Sequence, residues 1–126
     1  MSVAYVDSSV LVAIALGESG SEAVTERLAG FTRLYSSNLL EAELRSALAR
    51  ESVGWSQKHT EGIRWIWTDR SLGDEMETIL RIRYLKGADL WHLAAAVSFV
   101  PDPRAMTFVT LDERQRAVAA ELGFQV

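Results

Sequence analysis

The sequence predicts a three-layer α/β/α sandwich around a short, mostly parallel central sheet. Three observations lead there. Short apolar runs with β-branched and aromatic residues alternate along the chain with segments of helical periodicity, the order that builds parallel sheets covered on both faces. A length of 126 residues suits one domain over residues 1–126 and leaves little room for a second. Hydrophobic residues at 48% and charged residues at 24% describe a chain with enough apolar matter for a core, not a disordered one.

The elements follow in order. Val3 to Val6 is a short apolar run and reads as a buried strand. Asp7-Ser8-Ser9 ends it with residues that cap helices, and Val10 to Leu16 reads as a short apolar helix. Gly17 to Gly20 is a turn. Ser21 to Leu28 is a second helix, ended by Gly30. Phe31 to Tyr35 is a candidate second strand, followed by Ser36-Ser37-Asn38 as another cap. Leu39 to Arg50 is helical, with Leu40, Leu44, Ala47 and Leu48 on one face, and Gly54 ends it. Ser56 is expected to start a further helix running to Trp65 or Trp67, and Trp67 to Leu72 to hold a short strand or a loop. Asp74 to Leu85 is helical, Gly87 breaks the chain, and Ala88 to Phe99 is an apolar helix. Pro101-Asp102-Pro103 is a loop. Met106 to Leu111 is a strand, Glu113 to Leu122 a helix, and Phe124 to Val126 a short last strand.

Composition removes several functions. The absence of Cys excludes disulfides, thiolate metal sites and a Cys nucleophile. The apolar run Val10 to Leu16 is too short to span a bilayer, so no membrane association is expected. The N-terminus lacks a basic region, so no signal peptide is expected, and the protein is expected in the cytoplasm. A net charge of −4 argues against nucleic-acid binding by bulk charge. It leaves open a local basic surface, and it raises the question of where the excess acids sit.

In α/β sheets, ligands gather at the carboxyl ends of the strands. Asp7 directly follows the first predicted strand and Asp112 the strand ending at Leu111. Each is also a plausible helix cap. Asp89 opens the apolar helix Asp89-Leu90-Trp91-His92-Leu93, again as a cap or as a site residue. Glu43 lies three residues after Leu40 and four before Ala47, which puts it at the border of the apolar face. Glu41 precedes Arg45 by four and suits a surface ion pair, so Glu43 is favoured for function. Four carboxylates in one crevice repel one another and raise their pKa values. A divalent cation removes that penalty, and oxygen ligands without Cys favour Mg²⁺ or Mn²⁺. Setting these four acids aside leaves 13 acidic against 13 basic residues. The acidic balance therefore does not exclude a nucleic-acid substrate.

Four blocks carry a resemblance. Val6-Asp7-Ser8-Ser9 is similar to the opening strand and Asp-Thr/Ser-Ser of the PIN-domain nucleases. Ser37 to Leu48 resembles the second block, in which the family's glutamate matches Glu43 and not Glu41. Gly87 to Ala96 resembles the block often read Asp-Ala-x-His-Leu-Ala, and Phe108 to Asp112 the Thr-x-Asp block, followed by Ala119-Ala120-Glu121-Leu122-Gly123. The resemblance spans essentially the whole chain and is closest to the small bacterial VapC-type toxins of toxin–antitoxin modules. It implies a metal-dependent endoribonuclease, with Asp7, Glu43, Asp89 and Asp112 as catalytic residues holding one or two Mg²⁺ or Mn²⁺ ions that activate water. It also implies an RNA substrate, a cognate VapB-type antitoxin and a homodimer. Ser8, Ser9, Thr110 and His92 are candidates to support the carboxylates. Two positions depart from the pattern. Only Glu113 is available as the further acid many relatives carry after the Thr-x-Asp block, and Leu90 stands where the family often has Ala.

Other residues carry weaker signals. His92, three residues after Asp89, suits a metal ligand or general base, but its apolar neighbours favour a histidine bonded in the core beside the site. His59 carries no signal. Of Trp55, Trp65, Trp67 and Trp91, most are expected in the core, with RNA stacking as the alternative. Arg45, Arg50, Arg81, Arg83, Lys86, Arg114 and Arg116 flank the acids, which suits incoming phosphates or simply solvated helix faces.

Three other functions compete. A phosphatase of the haloacid dehalogenase type needs a second Asp two residues after the first, where Ser9 stands. A signalling receiver domain fails for want of paired acids near its first strand. A PIN-like nuclease of RNA processing outside any toxin–antitoxin system, or a catalytically silent RNA- or protein-binding PIN domain, remains the alternative reading.

Overall fold

The computed structural model describes residues 2–126. Strand β1 (Val3–Val6) lies inside a four-stranded sheet of order β3-β2-β1-β4. The other strands are β2 (Arg33–Ser37), β3 (Ile63–Ile66) and β4 (Thr107–Val109). Every pairing is parallel: Tyr5 stands opposite Tyr35 in β2 and Phe108 in β4, and Leu34 opposite Ile63. Ala4, Tyr5 and Val6 are fully buried, as expected of a strand covered on both faces.

Alternation along β1 divides the core in two. Ala4 and Val6 join Val10, Leu11, Leu40, Leu44 and Leu48 in one cluster, beneath α1 (Ser8–Leu16), α2 (Ser21–Ala29) and α3 (Leu39–Arg50). Tyr5 points the other way and joins Leu93, Ala95, Ala96, Phe108 and Phe124, beneath α4 (Gly73–Ile82), α5 (Gly87–Phe99) and α6 (Glu113–Leu122). Full burial of each large side chain contributes about 1.5–3 kcal/mol. The three-layer α/β/α sandwich with a parallel sheet is thus the fold observed. Among the described residues no helix is long and apolar enough to cross a membrane.

The chain runs outward from β1 to β2 and β3, then returns to place β4 on the other side of β1. Such a reversal leaves a crevice at the carboxyl ends of the two strands that flank it, here β1 and β4. Asp7 follows β1 and Thr110 follows β4 at that crevice.

Several elements differ from the sequence reading. Strand β2 begins two residues later and includes Ser36 and Ser37, which had the look of a helix cap. Both are fully buried yet bonded: Ser36 Oγ donates to the Val6 carbonyl at 2.8 Å, and Ser37 N–H donates to the Tyr5 hydroxyl oxygen at 3.1 Å. The helix expected from Ser56 is a single 3-10 turn, Gln57–Thr60. Gly62, at φ 84°, then turns the chain into β3, a left-handed conformation that favours glycine. The strand considered for Trp67 to Leu72 therefore lies earlier, at Ile63–Ile66, where Ile66 is buried against α5's side of the sheet. Helix α3 ends at Arg50, and Ser52 rather than Gly54 takes the left-handed turn. Gly87 does not break a helix but begins α5. Strand β4 is three residues long, and the expected last strand is one bridge between Thr107 and Gln125.

Candidate active site

Asp7 caps α1 and faces the crevice at the same time. Its Oδ2 accepts from Ser9 N–H at 3.2 Å and from Ser9 Oγ at 2.7 Å. Thr110 Oγ1 lies 3.1 Å from the same oxygen. With only 2% of its surface exposed, this carboxylate depends on such charge-assisted bonds to remain in the interior. Ser8 is buried at the start of α1, but it is Ser9 that supplies these contacts.

Gln115, fully buried in α6, ties three of the segments together. Its Nε2 lies 3.4 Å from Asp7 Oδ1 and 3.2 Å from the Asp89 carbonyl, and its Oε1 lies 2.7 Å from Thr110 Oγ1. Asp7 and the Asp89 carbonyl can only accept, so the nitrogen must face them and the orientation of the amide follows from the network. The one Thr110 hydroxyl proton serves either Gln115 or Asp7, and the Asp112 N–H donates to Thr110 Oγ1 at 3.1 Å. Asp112 caps α6 through Oδ1, which accepts from Gln115 N–H at 2.8 Å.

Glu43 reaches the crevice from α3. Its Oε1 lies 2.6 Å from His92 Nε2. His92 is fully buried and its Nδ1 lies 2.7 Å from the Tyr5 hydroxyl. Asp7 Oδ1 is 3.8 Å from His92 Nε2. Burial pushes the Tyr5 hydroxyl far above its ordinary pKa, so it keeps its proton. Its oxygen also accepts from Ser37 N–H. The Tyr5 hydroxyl at Nδ1 and the Glu43 carboxylate at Nε2 thus hold the ring from both sides. His92 is thus a bonded core histidine beside the site, its two nitrogens occupied.

Asp89 lies in the first turn of α5, whose cap position is Lys86. It therefore does not cap the helix. Burial, and then the charges of Asp7, Asp112 and Glu43, hold its carboxyl above the ordinary value, with His92 opposing them. Asp89 thus lies within electrostatic reach of the other three sequence-selected acids. Glu41 instead pairs with Arg45 on the surface at 2.9 Å, and Glu113 pairs with Arg116.

Sequence reasoning missed Gln115 and Tyr5. Both left a signal. Gln115 stands three residues after the Asp112 cap, the position from which a Gln side chain turns back over a helix start. Tyr5 lies two residues before Asp7, hence on the same side of the strand. Of the tryptophans, Trp55, Trp65 and Trp91 pack partly buried against the core, whereas Trp67 is 70% exposed.

As placed, and among the described residues, no three His, Asp or Glu side chains form a ready metal cage. The donor set still suits a hard divalent cation. It offers carboxylate oxygens, and Asp89, raised first by burial and then by the charges of Asp7, Asp112 and Glu43, is an acid that a bound cation would relieve.

No curated protein matches the chain. The PIN domain model matches residues 4–121, nearly the full length. PIN domains are in general metal-dependent ribonucleases. On that match, the chain belongs to the PIN domain family.

Proposed function

We propose that this chain is a Mg²⁺- or Mn²⁺-dependent endoribonuclease whose catalytic and metal-holding residues are Asp7, Glu43, Asp89 and Asp112. One observation carries the reading. Asp89 feels the charges of Asp7, Asp112 and Glu43, acids from three other segments, and among the described residues no Lys or Arg forms an ion pair with any of the four. Asp7, 2% exposed, is held by hydrogen bonds and by no Lys or Arg, although unpaired buried charge is costly. Bound there, a divalent cation would polarise phosphate oxygens and lower the pKa of water.

The chain's own residues hold the acids in place. Ser9, Thr110 and Gln115 fix Asp7. Tyr5 fixes His92, and His92 fixes Glu43. Support of this kind preserves geometry between turnovers.

The finer reading is the toxin of a toxin–antitoxin pair, with a VapB-type antitoxin as partner and a homodimer as the assembly. It rests on the four-block sequence resemblance to VapC-type toxins at this chain length. Purified protein, freed of any partner, should cut an RNA pool with Mg²⁺ or Mn²⁺ and not in chelator, and Asp7→Asn should not cut. Expression of the wild type alone should arrest growth, and co-expression of a small neighbouring gene should restore it. Cleavage without any growth effect would point to RNA processing instead.

A further inference from the structure

Seven basic residues flank the acids in sequence, and the structure separates them. Arg45 pairs with Glu41 and lies over the Trp55 ring at 4.0 Å; Arg50 pairs with Glu51 and Arg81 with Glu77. Arg116 is bound to Glu113 and donates to the Thr110 carbonyl at 2.7 Å. These four are committed to the protein. Arg83 is exposed but does not line the site cavity.

Lys86 and Arg114 differ from all of these. They line one open cavity of about 490 Å³ together with Asp89, Asp112 and Glu113. Neither forms an ion pair within the described residues, although the acids lie in the same cavity. Lys86 stands just ahead of α5 and Arg114 in the first turn of α6, so the two cations arrive from different helices. The cavity exceeds by far the roughly 30 Å³ of a water molecule.

We infer that Lys86 and Arg114 bind the phosphates of the RNA backbone at the cavity that Asp89 and Asp112 also line. The inference rests on the ribonuclease reading and adds to it the residues that bind substrate. Unpaired cations at the mouth of an acidic site supply what four carboxylates lack, an attraction for a polyanion. An ammonium contributes a point charge, while a guanidinium can hold two phosphate oxygens at once.

The test is fluorescence anisotropy of a short, labelled single-stranded RNA with the full chain, in Ca²⁺ to slow cleavage, across a range of salt. Wild type is compared with Lys86→Ala, Arg114→Ala, Lys86→Arg and the control Arg81→Ala. Cleavage in Mg²⁺ is followed in parallel. Each alanine variant should weaken RNA binding by roughly tenfold at low salt and flatten the salt slope by about 0.7. KM should rise more than kcat falls, Lys86→Arg should recover most of the binding, and Arg81→Ala should match wild type. Wild-type affinity and slope in both alanine variants would overturn the inference. If wild type binds with these dependences but does not cut, the binding residues stand and the nuclease reading falls. If wild type cuts while the variants bind normally, the nuclease reading stands and the binding residues fall. If wild type binds no RNA, both fall.

Discussion

His92 and Glu43, 49 residues apart in sequence, meet with Nε2 and Oε1 at 2.6 Å. The other nitrogen of the same ring, Nδ1, lies 2.7 Å from the Tyr5 hydroxyl. A strand residue thus holds a histidine in place, and the histidine aims a carboxylate carried by a helix on the opposite side of the sheet. Tyr5→Phe leaves Nδ1 and the Ser37 N–H without this partner. It should cost about 1–3 kcal/mol of stability and reduce metal-dependent cleavage by about 10–100-fold. Ring-nitrogen NMR shifts of wild type should show the proton on Nε2; a neutral ring protonated at Nδ1 would contradict the relay.

Asp89 should lower the stability of the metal-free protein at neutral pH. Its folded-state pKa is raised above the ordinary 3.8 by burial and by Asp7, Asp112 and Glu43. Stability from its protonation is fully present below the unfolded value and is lost as pH rises through the folded one. Asp89→Asn should therefore melt above wild type in chelator at pH 7, with the difference shrinking in acid. In Mg²⁺ the order should reverse. Thermal melts across pH, with and without the ion, check both parts.

Metal should stabilise the wild type by mass action. At a free concentration 100 times Kd the gain is about 2.7 kcal/mol, or a rise in Tm of roughly 10 °C for a domain of this size. The Asp7→Asn and Glu43→Gln variants should show much smaller rises. Equal rises in all three proteins would place the ion elsewhere.

Gln115→Glu separates packing from charge. The substitution keeps the shape but replaces donors to Asp7 Oδ1 and the Asp89 carbonyl with a fifth acid in a buried place. The metal-free protein should lose about 1–3 kcal/mol, and Mg²⁺ should restore more stability than it adds to wild type. Gln115→Ala should lose a similar amount without that excess. Denaturant melts of the three proteins, with and without Mg²⁺, decide between them.

Much of this was legible in the chain. The strand Val3–Val6 and the helices Leu39–Arg50 and Glu113–Leu122 follow from local pattern and agree with their predicted bounds. The four acids stand out because two follow strands, one opens an apolar helix and one borders an apolar helix face. What escaped depended on distant partners. Ser36 and Ser37 look like a cap until Val6 and Tyr5 are seen to bond them within the sheet. Ile63–Ile66 becomes a strand because β2 offers it an open edge, which no window of the sequence contains. Gln115 carries no signal in the polar run Glu113-Arg114-Gln115-Arg116 beyond its place after a cap, yet it is the amide that joins Asp7, Asp89 and Thr110.

The central claim is that the four carboxylates form the metal-dependent catalytic site. Its most direct measurement is the time course of cleavage of end-labelled RNA by wild type and Asp89→Asn, prepared identically, in Mg²⁺ and in chelator. Cleavage by wild type in Mg²⁺ alone, reduced at least about 100-fold in the well-folded variant, is the predicted result. Cleavage of equal rate in chelator, equal activity in the variant, or no cleavage by wild type with either Mg²⁺ or Mn²⁺ would contradict it.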